Sequence, residues 1–125
     1  MCIVATLKKI IGSFRNAFRG LKEAYRRDLS FRLELYGGIA VALFIFIFWP
    51  LRVYEFVFVI LGYVLILMCE LINTAFEQIL ERIHPERHEL IGIGKDIASA
   101  AVFMGIVFLS FVGVLIILRY LEILP

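Results

Sequence analysis

The sequence predicts an all-α membrane protein: three transmembrane helices preceded by an amphipathic helix. Hydrophobic residues make up 62% of the 125 positions, and the mean hydropathy of +0.96 is too high for an ordinary water-soluble domain. Three apolar runs can each cross a hydrocarbon layer of about 30 Å, which takes about 20 helical residues. We expect one membrane domain over residues 1–125, with spans at about 31–51, 53–82 and 95–121.

The segment at about residues 6–28 has the pattern of a helix that lies on the membrane surface. Its apolar residues recur at steps of three and four, and Lys and Arg side chains occupy the opposite face. This arrangement is typical of a helix held against anionic headgroups. The helix is either a simple anchor or a cover over a site at the bilayer surface, where its basic residues would contact phosphate.

The distribution of basic residues predicts the orientation in the membrane. Eight of the thirteen Lys and Arg residues precede the first span and three lie between the second and third, whereas only Arg52 and Arg119 lie at the opposite ends of the spans. By the positive-inside rule, the N-terminus and the second loop are cytoplasmic. The turn at Pro50 and the C-terminus then face outward. Glu55, just inside the outer boundary, is interpreted as a snorkelling or paired residue without a catalytic part.

The second span carries polar residues where a membrane helix normally carries hydrocarbon. Glu70, Asn73 and Glu77 are spaced i, i+3 and i+7 and therefore share one stripe of the helix. An ionised group at membrane depth costs about 2.5 to 3.5 kcal/mol, so it normally faces a protein or water-filled site. The stripe crosses the inner bilayer surface, where it is suited to binding a metal ion or accepting a proton.

The third span is expected to begin after Gly92 and Gly94, with Lys95 and Asp96 at its start. It then carries several small residues, which allow membrane helices to approach closely. Ser99 shares a helix face with both Lys95 and Asp96. The cytoplasmic ends of the three spans therefore hold acids, an amide, a lysine and a hydroxyl.

Transfer of a phosphoryl group to a lipid hydroxyl requires this kind of set. Carboxylates hold magnesium that bridges nucleotide phosphates, a lysine meets the transferred phosphate, and a base takes the hydroxyl proton. Asp28, Glu70, Glu77 and Lys95 are candidates for these roles. The sequence contains no GxxxxGK[ST] loop, GxGxxG turn or HRD motif, which argues against a P-loop enzyme and a protein-kinase fold.

Nearly the whole chain resembles the small integral-membrane diacylglycerol kinase family of bacteria. The most specific motifs are Glu70-Leu-Ile-Asn73-Thr-Ala-Phe-Glu77 and Lys95-Asp96-Ile-Ala-Ser99-Ala-Ala-Val102. Further similar segments are Gly20-Leu21, Phe31-Arg32-Leu33-Glu34, Glu81-Arg-Ile-His and His88-Glu-Leu. The resemblance implies a homotrimer of three-span subunits in the bacterial inner membrane, which uses ATP and Mg²⁺ and shares its sites between subunits. No nucleic-acid partner is expected.

The resemblance also implies roles for individual residues. Glu70 would be the general base, Asn73 would support it, and Asp28 and Glu77 would hold the metal ion. Contacts with ATP are expected from Lys9, Asn16, Asp28, Glu77, Glu86, Arg87, His88, Lys95 and Asp96. The lipid substrate is expected to be bordered by Lys9, Ser13, Phe31, Arg32, Leu33, Glu34, Glu70 and Ser99.

Three residues depart from the family pattern, and they concern binding of the metal ion, the nucleotide and the lipid. Asp28 replaces the usual Glu, Asn16 stands where an aromatic residue is expected near the nucleotide, and Leu33 replaces a Gln found in members specific for diacylglycerol. Other relatives phosphorylate undecaprenol. Glu34 and the His88-Glu-Leu segment favour diacylglycerol as the lipid, and undecaprenol is the alternative.

Two function classes without kinase activity remain open from the residues alone. In a small ion-conducting bundle, Glu70 and Glu77 would line a cation path. The outer halves of the spans contain almost no polar groups, which argues against such a path. In a noncatalytic membrane partner, the same acids would hold an assembly together.

Overall fold

The computed structural model describes residues 2–86 and 89–125, which form four α-helices. They are α1 (Cys2–Arg27), α2 (Leu29–Ile47), α3 (Val53–Ile83) and α4 (Glu89–Tyr120). The last three are long and apolar enough to cross a membrane. This confirms the prediction of an all-α protein with three candidate spans.

Helix α1 begins at Cys2 rather than near residue 6, because Ile3 and Val4 continue the helix toward the N-terminus. Only Ala24 in this helix is buried. Asp28 separates α1 from α2 through its extended backbone conformation, with φ −116° and ψ 116°, and serves as the N-cap of α2. The two helices also meet where the Tyr25 and Tyr36 rings pack edge to face, with centroids 6.3 Å apart.

Two of the predicted span boundaries are wrong. Helix α2 ends at Ile47 rather than at Leu51, because the chain turns before Pro50, which cannot continue a helical hydrogen-bond pattern. Helix α4 begins at Glu89 rather than at Lys95 and runs through Gly92 and Gly94. A glycine inside a helix costs only about 1 kcal/mol relative to alanine, so an apolar helix extends through it.

The main packing contact runs along α3 and α4. Gly105 of α4 lies against Ile66 of α3, and Gly62 of α3 lies against Phe108 and Leu109 of α4. These glycines allow the close approach that small residues provide between membrane helices. The buried apolar cluster of Val59, Val112 and Ile116 lies near the start of α3 and the end of α4 and is covered in part by side chains of α2.

The start of α3 and the end of α4 are joined by an ion pair. Arg119 donates two hydrogen bonds to Glu55, from Nε to Oε1 at 2.5 Å and from Nη2 to Oε2 at 2.8 Å. The backbone N–H of Arg52 donates a third, at 2.8 Å. The Glu55 side chain is only 8% exposed. Its interpretation as a paired residue is confirmed.

Candidate active site

The C-terminal half of α3 buries three polar side chains on one stripe. Glu70, Asn73 and Thr74 are 4%, 7% and 6% exposed. Glu77 continues the stripe one turn later and is half-buried. The helical spacing in the sequence produces this grouping, because residues three, four and seven apart share a face.

Asp28 reaches this stripe from the junction of α1 and α2. Its Oδ1 accepts a hydrogen bond from the backbone N–H of Ser30 at 2.8 Å, the usual N-cap interaction. Its Oδ2 accepts a hydrogen bond from the hydroxyl of Thr74. Asp28 therefore stands beside α3 although it lies far from Thr74 in the sequence.

A cavity of about 270 Å³ opens between these elements. Helix α3 contributes Glu70, Asn73 and Glu77, while the start of α2 and its cap contribute Asp28, Ser30 and Glu34. Helix α4 closes it with Ser99, Val102, Phe103 and Ile106. The structure thus brings together six of the residues named as candidates from the sequence: Asp28, Glu34, Glu70, Asn73, Glu77 and Ser99.

The electrostatics of this cavity are strongly acidic. The carboxylates of Asp28, Glu34 and Glu77 lie close enough to Glu70 to interact with it electrostatically, and Asn73 contacts it through its side chain. Within residues 2–86 and 89–125, none of the four carboxylates belongs to an ion pair. Oxygen atoms grouped without a balancing cation are what a hard divalent ion requires.

The donor set fits Mg²⁺ bound together with a nucleotide. In the described part of the chain, no three His, Cys, Asp or Glu side chains are grouped so that they hold a metal ion by themselves. Magnesium is commonly held by one or two carboxylates, with waters and substrate phosphates completing its coordination. Asp28 and Glu77 supply two such carboxylates, and Asp28 retains lone pairs beyond those used by Ser30 and Thr74.

Asn73 adds an unused acceptor to the cavity. Its Oδ1 is buried and has no hydrogen-bond partner among the described residues. A buried polar atom without a partner costs about 1 to 3 kcal/mol, so such atoms are usually satisfied by a ligand or water. A hydroxyl group that enters the cavity would supply the missing donor.

Lys95 lies in a second, larger cavity of about 500 Å³ between the end of α3 and the start of α4. Its Nζ is 3.7 Å from Oε1 of Glu81, and Glu86 lines the same cavity. Asp96 is exposed and lines neither cavity. Arg87 and His88, which were also predicted to contact ATP, lie outside the described residues.

The remaining predicted residues line neither cavity. Lys9, Ser13 and Asn16 are exposed on α1, where Ser13 donates to the Lys9 carbonyl and Asn16 accepts a hydrogen bond from Arg19. At the start of α2, Leu33 is exposed, whereas Phe31 is almost fully buried. Arg32 Nε is buried without a hydrogen-bond partner among the described residues.

Three polar residues near the cavities were missed in the sequence. Thr74 follows Glu70 by four residues, so its position on the stripe was visible from the helical spacing. Ser30 follows Asp28 by two residues, the spacing of a capping interaction at a helix start. Glu81 lies one turn beyond Glu77 on α3, but its pairing with Lys95 depends on how α3 and α4 meet.

Most of this chain is similar to proteins of one known kinase family. Residues 15–117 match the family described as prokaryotic diacylglycerol kinase. The chain is 33% identical to the diacylglycerol kinase of Haemophilus influenzae, over 80% of this chain and 84% of that protein. It is 36% identical to the Escherichia coli K12 diacylglycerol kinase, over 79% of this chain and 80% of that protein.

This chain is also similar to a kinase that is named for a different lipid. The chain is 30% identical to the undecaprenol kinase of Bacillus subtilis over 90% of both chains. The resemblance noted from the motifs is therefore confirmed at the level of the family. With three candidate spans and an acidic cavity beside the C-terminal half of α3, this chain belongs to the prokaryotic diacylglycerol kinase family.

Proposed function

We propose that this lipid kinase transfers the γ-phosphoryl group of ATP to the free hydroxyl of diacylglycerol, producing phosphatidic acid and ADP. The observation that carries the proposal is Glu70, which is buried in a cavity with three further carboxylates and no ion-pair partner among the described residues. The names of the two diacylglycerol kinases support the choice of lipid.

In this reaction Glu70 removes the proton from the lipid hydroxyl as its oxygen attacks the γ-phosphorus. The bond from that phosphorus to the bridging oxygen of ADP breaks, and the products are phosphatidic acid and ADP. Asn73 Oδ1 orients the hydroxyl. Asp28 and Glu77 would hold Mg²⁺, which supplies positive charge to the transferring phosphoryl group.

The nucleotide is proposed to lie between the acidic cavity of one subunit and the Lys95 cavity of another, with its phosphates toward Lys95, Asp96 and the metal-binding carboxylates. Glu86, Arg87 and His88 would contact the base or sugar. Lys9, Ser13 and Asn16 of α1 would approach from the membrane surface. Phe31, Arg32, Leu33, Glu34 and Ser99 would border the lipid.

We further propose a homotrimer in the bacterial inner membrane, with a cytoplasmic N-terminus and composite sites. Within one chain, Lys95 pairs with Glu81 and lines a cavity other than that of Glu70, which supports a lysine contributed by another subunit. Mixing Glu70→Gln and Lys95→Met subunits tests this arrangement. Activity regained in mixed oligomers supports shared sites, and its absence would place each site within one subunit.

The function itself is tested with purified protein in mixed micelles. Labelled ATP and Mg²⁺ are supplied, diacylglycerol and undecaprenol are offered in parallel, and Glu70→Gln is the control. Product that depends on Glu70 and forms faster from diacylglycerol supports the proposal. Undecaprenol is the second candidate because of the Bacillus subtilis relative. Faster product formation from undecaprenol would mean that it, rather than diacylglycerol, is the lipid substrate. If no product formed from either lipid, the proposed kinase activity would be rejected and a transport or assembly role would be favoured.

A further inference from the structure

Thr74 connects the two halves of the acidic cavity. It is buried on α3, one helical turn after Glu70, and its hydroxyl contacts two acceptors. One is Oδ2 of Asp28, which lies 46 positions earlier in the sequence, and the other is the backbone carbonyl of Glu70 at 2.8 Å. A hydroxyl has one proton to donate. Because hydrogen bonds to ionised acceptors are the stronger ones, that proton goes to the carboxylate.

Asp28 is consequently held at both of its oxygens by different elements. The Ser30 N–H binds Oδ1 from the start of α2, and Thr74 binds Oδ2 from α3. The first bond alone would leave the carboxylate attached only to its own helix. The second ties it to the helix that carries Glu70 and Glu77.

We propose that Thr74 is a positioning residue for the metal site, which aims the Asp28 carboxylate at a divalent cation shared with Glu77. This inference rests on the proposed function, in which Asp28 and Glu77 hold Mg²⁺. Hydrogen bonds that orient a metal ligand typically account for about 10- to 100-fold in metal affinity. Removing the Thr74 hydroxyl therefore weakens cation binding without removing a ligand or the base.

The test compares Thr74→Val, which keeps the branched shape without a donor, with Thr74→Ser, which keeps the hydroxyl. Thr74→Ala serves as a second variant without a donor. The matched control is Thr6→Val on the exposed face of α1, where Thr6 donates to a carbonyl four residues earlier, as Thr74 can. The readout is Mn²⁺ bound in the presence of a nonhydrolysable ATP analogue, measured by electron paramagnetic resonance. Mg²⁺-dependent turnover is measured in parallel.

We expect the Mn²⁺ dissociation constant to rise about 10- to 100-fold in Thr74→Val and Thr74→Ala. It should stay near that of the unmodified protein in Thr74→Ser and Thr6→Val. Turnover at saturating Mg²⁺ should recover within a few-fold in all four variants. Weaker Mn²⁺ binding by folded protein is the signature of a positioning role, because a folding defect lowers the amount of folded protein rather than the affinity of the folded fraction.

Unchanged Mn²⁺ affinity in folded Thr74→Val and Thr74→Ala would overturn the inference. So would equal weakening in Thr74→Ser, because the retained hydroxyl would then be irrelevant. The binding measurement requires no lipid turnover. Absence of phosphorylated lipid with the unmodified protein would thus reject the proposed reaction, while Mn²⁺ binding would still test the contact between Thr74 and Asp28.

Discussion

Helix α3 buries two carboxylates, one near its start and one near its middle, and the two have opposite surroundings. Glu55 near the start accepts two hydrogen bonds from Arg119 and one from the Arg52 backbone. Glu70 near the middle faces three further acids and forms no ion pair within the part of the chain that the structure describes. A buried charge in a membrane helix is usually paired or functional. Glu55 is of the paired kind, and Glu70 is the one for which we propose a function.

The largest expected effect comes from Glu70→Gln. Lipid phosphorylation should fall by about 10²- to 10⁴-fold, the usual contribution of a general base. The stability of the protein should stay the same or rise, since the substitution removes an acid that is buried beside three others and has no ion-pair partner among the described residues. Activity in mixed micelles and unfolding by sodium dodecyl sulfate measure the two quantities. A destabilised protein with normal turnover would contradict the assignment.

Glu55→Gln should show the reverse pattern. It leaves Arg119, whose side chain is only 20% exposed, without its counterion, so the free energy of unfolding should fall by about 3 kcal/mol. Activity at a temperature where the protein is folded should change little, because 15 residues of helix place Glu55 about 22 Å from Glu70. Unfolding is compared with the exposed control Glu122→Gln. Equal stability of the two variants would show that the Glu55–Arg119 pair makes no net contribution to the free energy of unfolding.

Gly105→Ala tests the close contact between α3 and α4 at Ile66. An added Cβ would lie 2.9 Å from Cγ1 of Ile66 and 3.5 Å from its Cα, so α3 and α4 must shift or Ile66 must turn. Such overpacking costs about 1 to 3 kcal/mol. Gly20→Ala on α1 is the control, because nothing lies within 4 Å of its added Cβ. A neutral Gly105→Ala measured by unfolding would argue against tight packing at this point.

Glu81→Gln should have the smallest effect. The Lys95–Glu81 pair has an N–O distance of 3.7 Å, and the two side chains are 35% and 63% exposed. Exposed pairs of this kind contribute about 0 to 1 kcal/mol. Unfolding should therefore differ from that of the unmodified protein by less than about 1 kcal/mol. A larger loss would mean that the Lys95–Glu81 pair stabilises the protein nearly as much as the Glu55–Arg119 pair does, despite its greater exposure.

Much of the candidate site was predictable because it lies within single helices. The stripe from Glu70 to Glu77 follows from helical spacing, and the apolar runs predict the spans through length alone. The ends of the helices were less predictable. Helix α4 runs through Gly92 and Gly94, since the cost of two glycines is small beside the continuation of a long apolar helix.

The fold class, the family and the charged positions within the apolar runs can be read from the amino-acid sequence. Which of these residues meet depends on how the helices pack: Asp28 meets Thr74, Lys95 meets Glu81 rather than Glu70, and Glu55 meets Arg119 across 64 positions. Periodicity specifies only which residues share a face of one helix. The rotation and depth at which two helices pack depend instead on contacts such as Gly105 against Ile66, which no local pattern encodes.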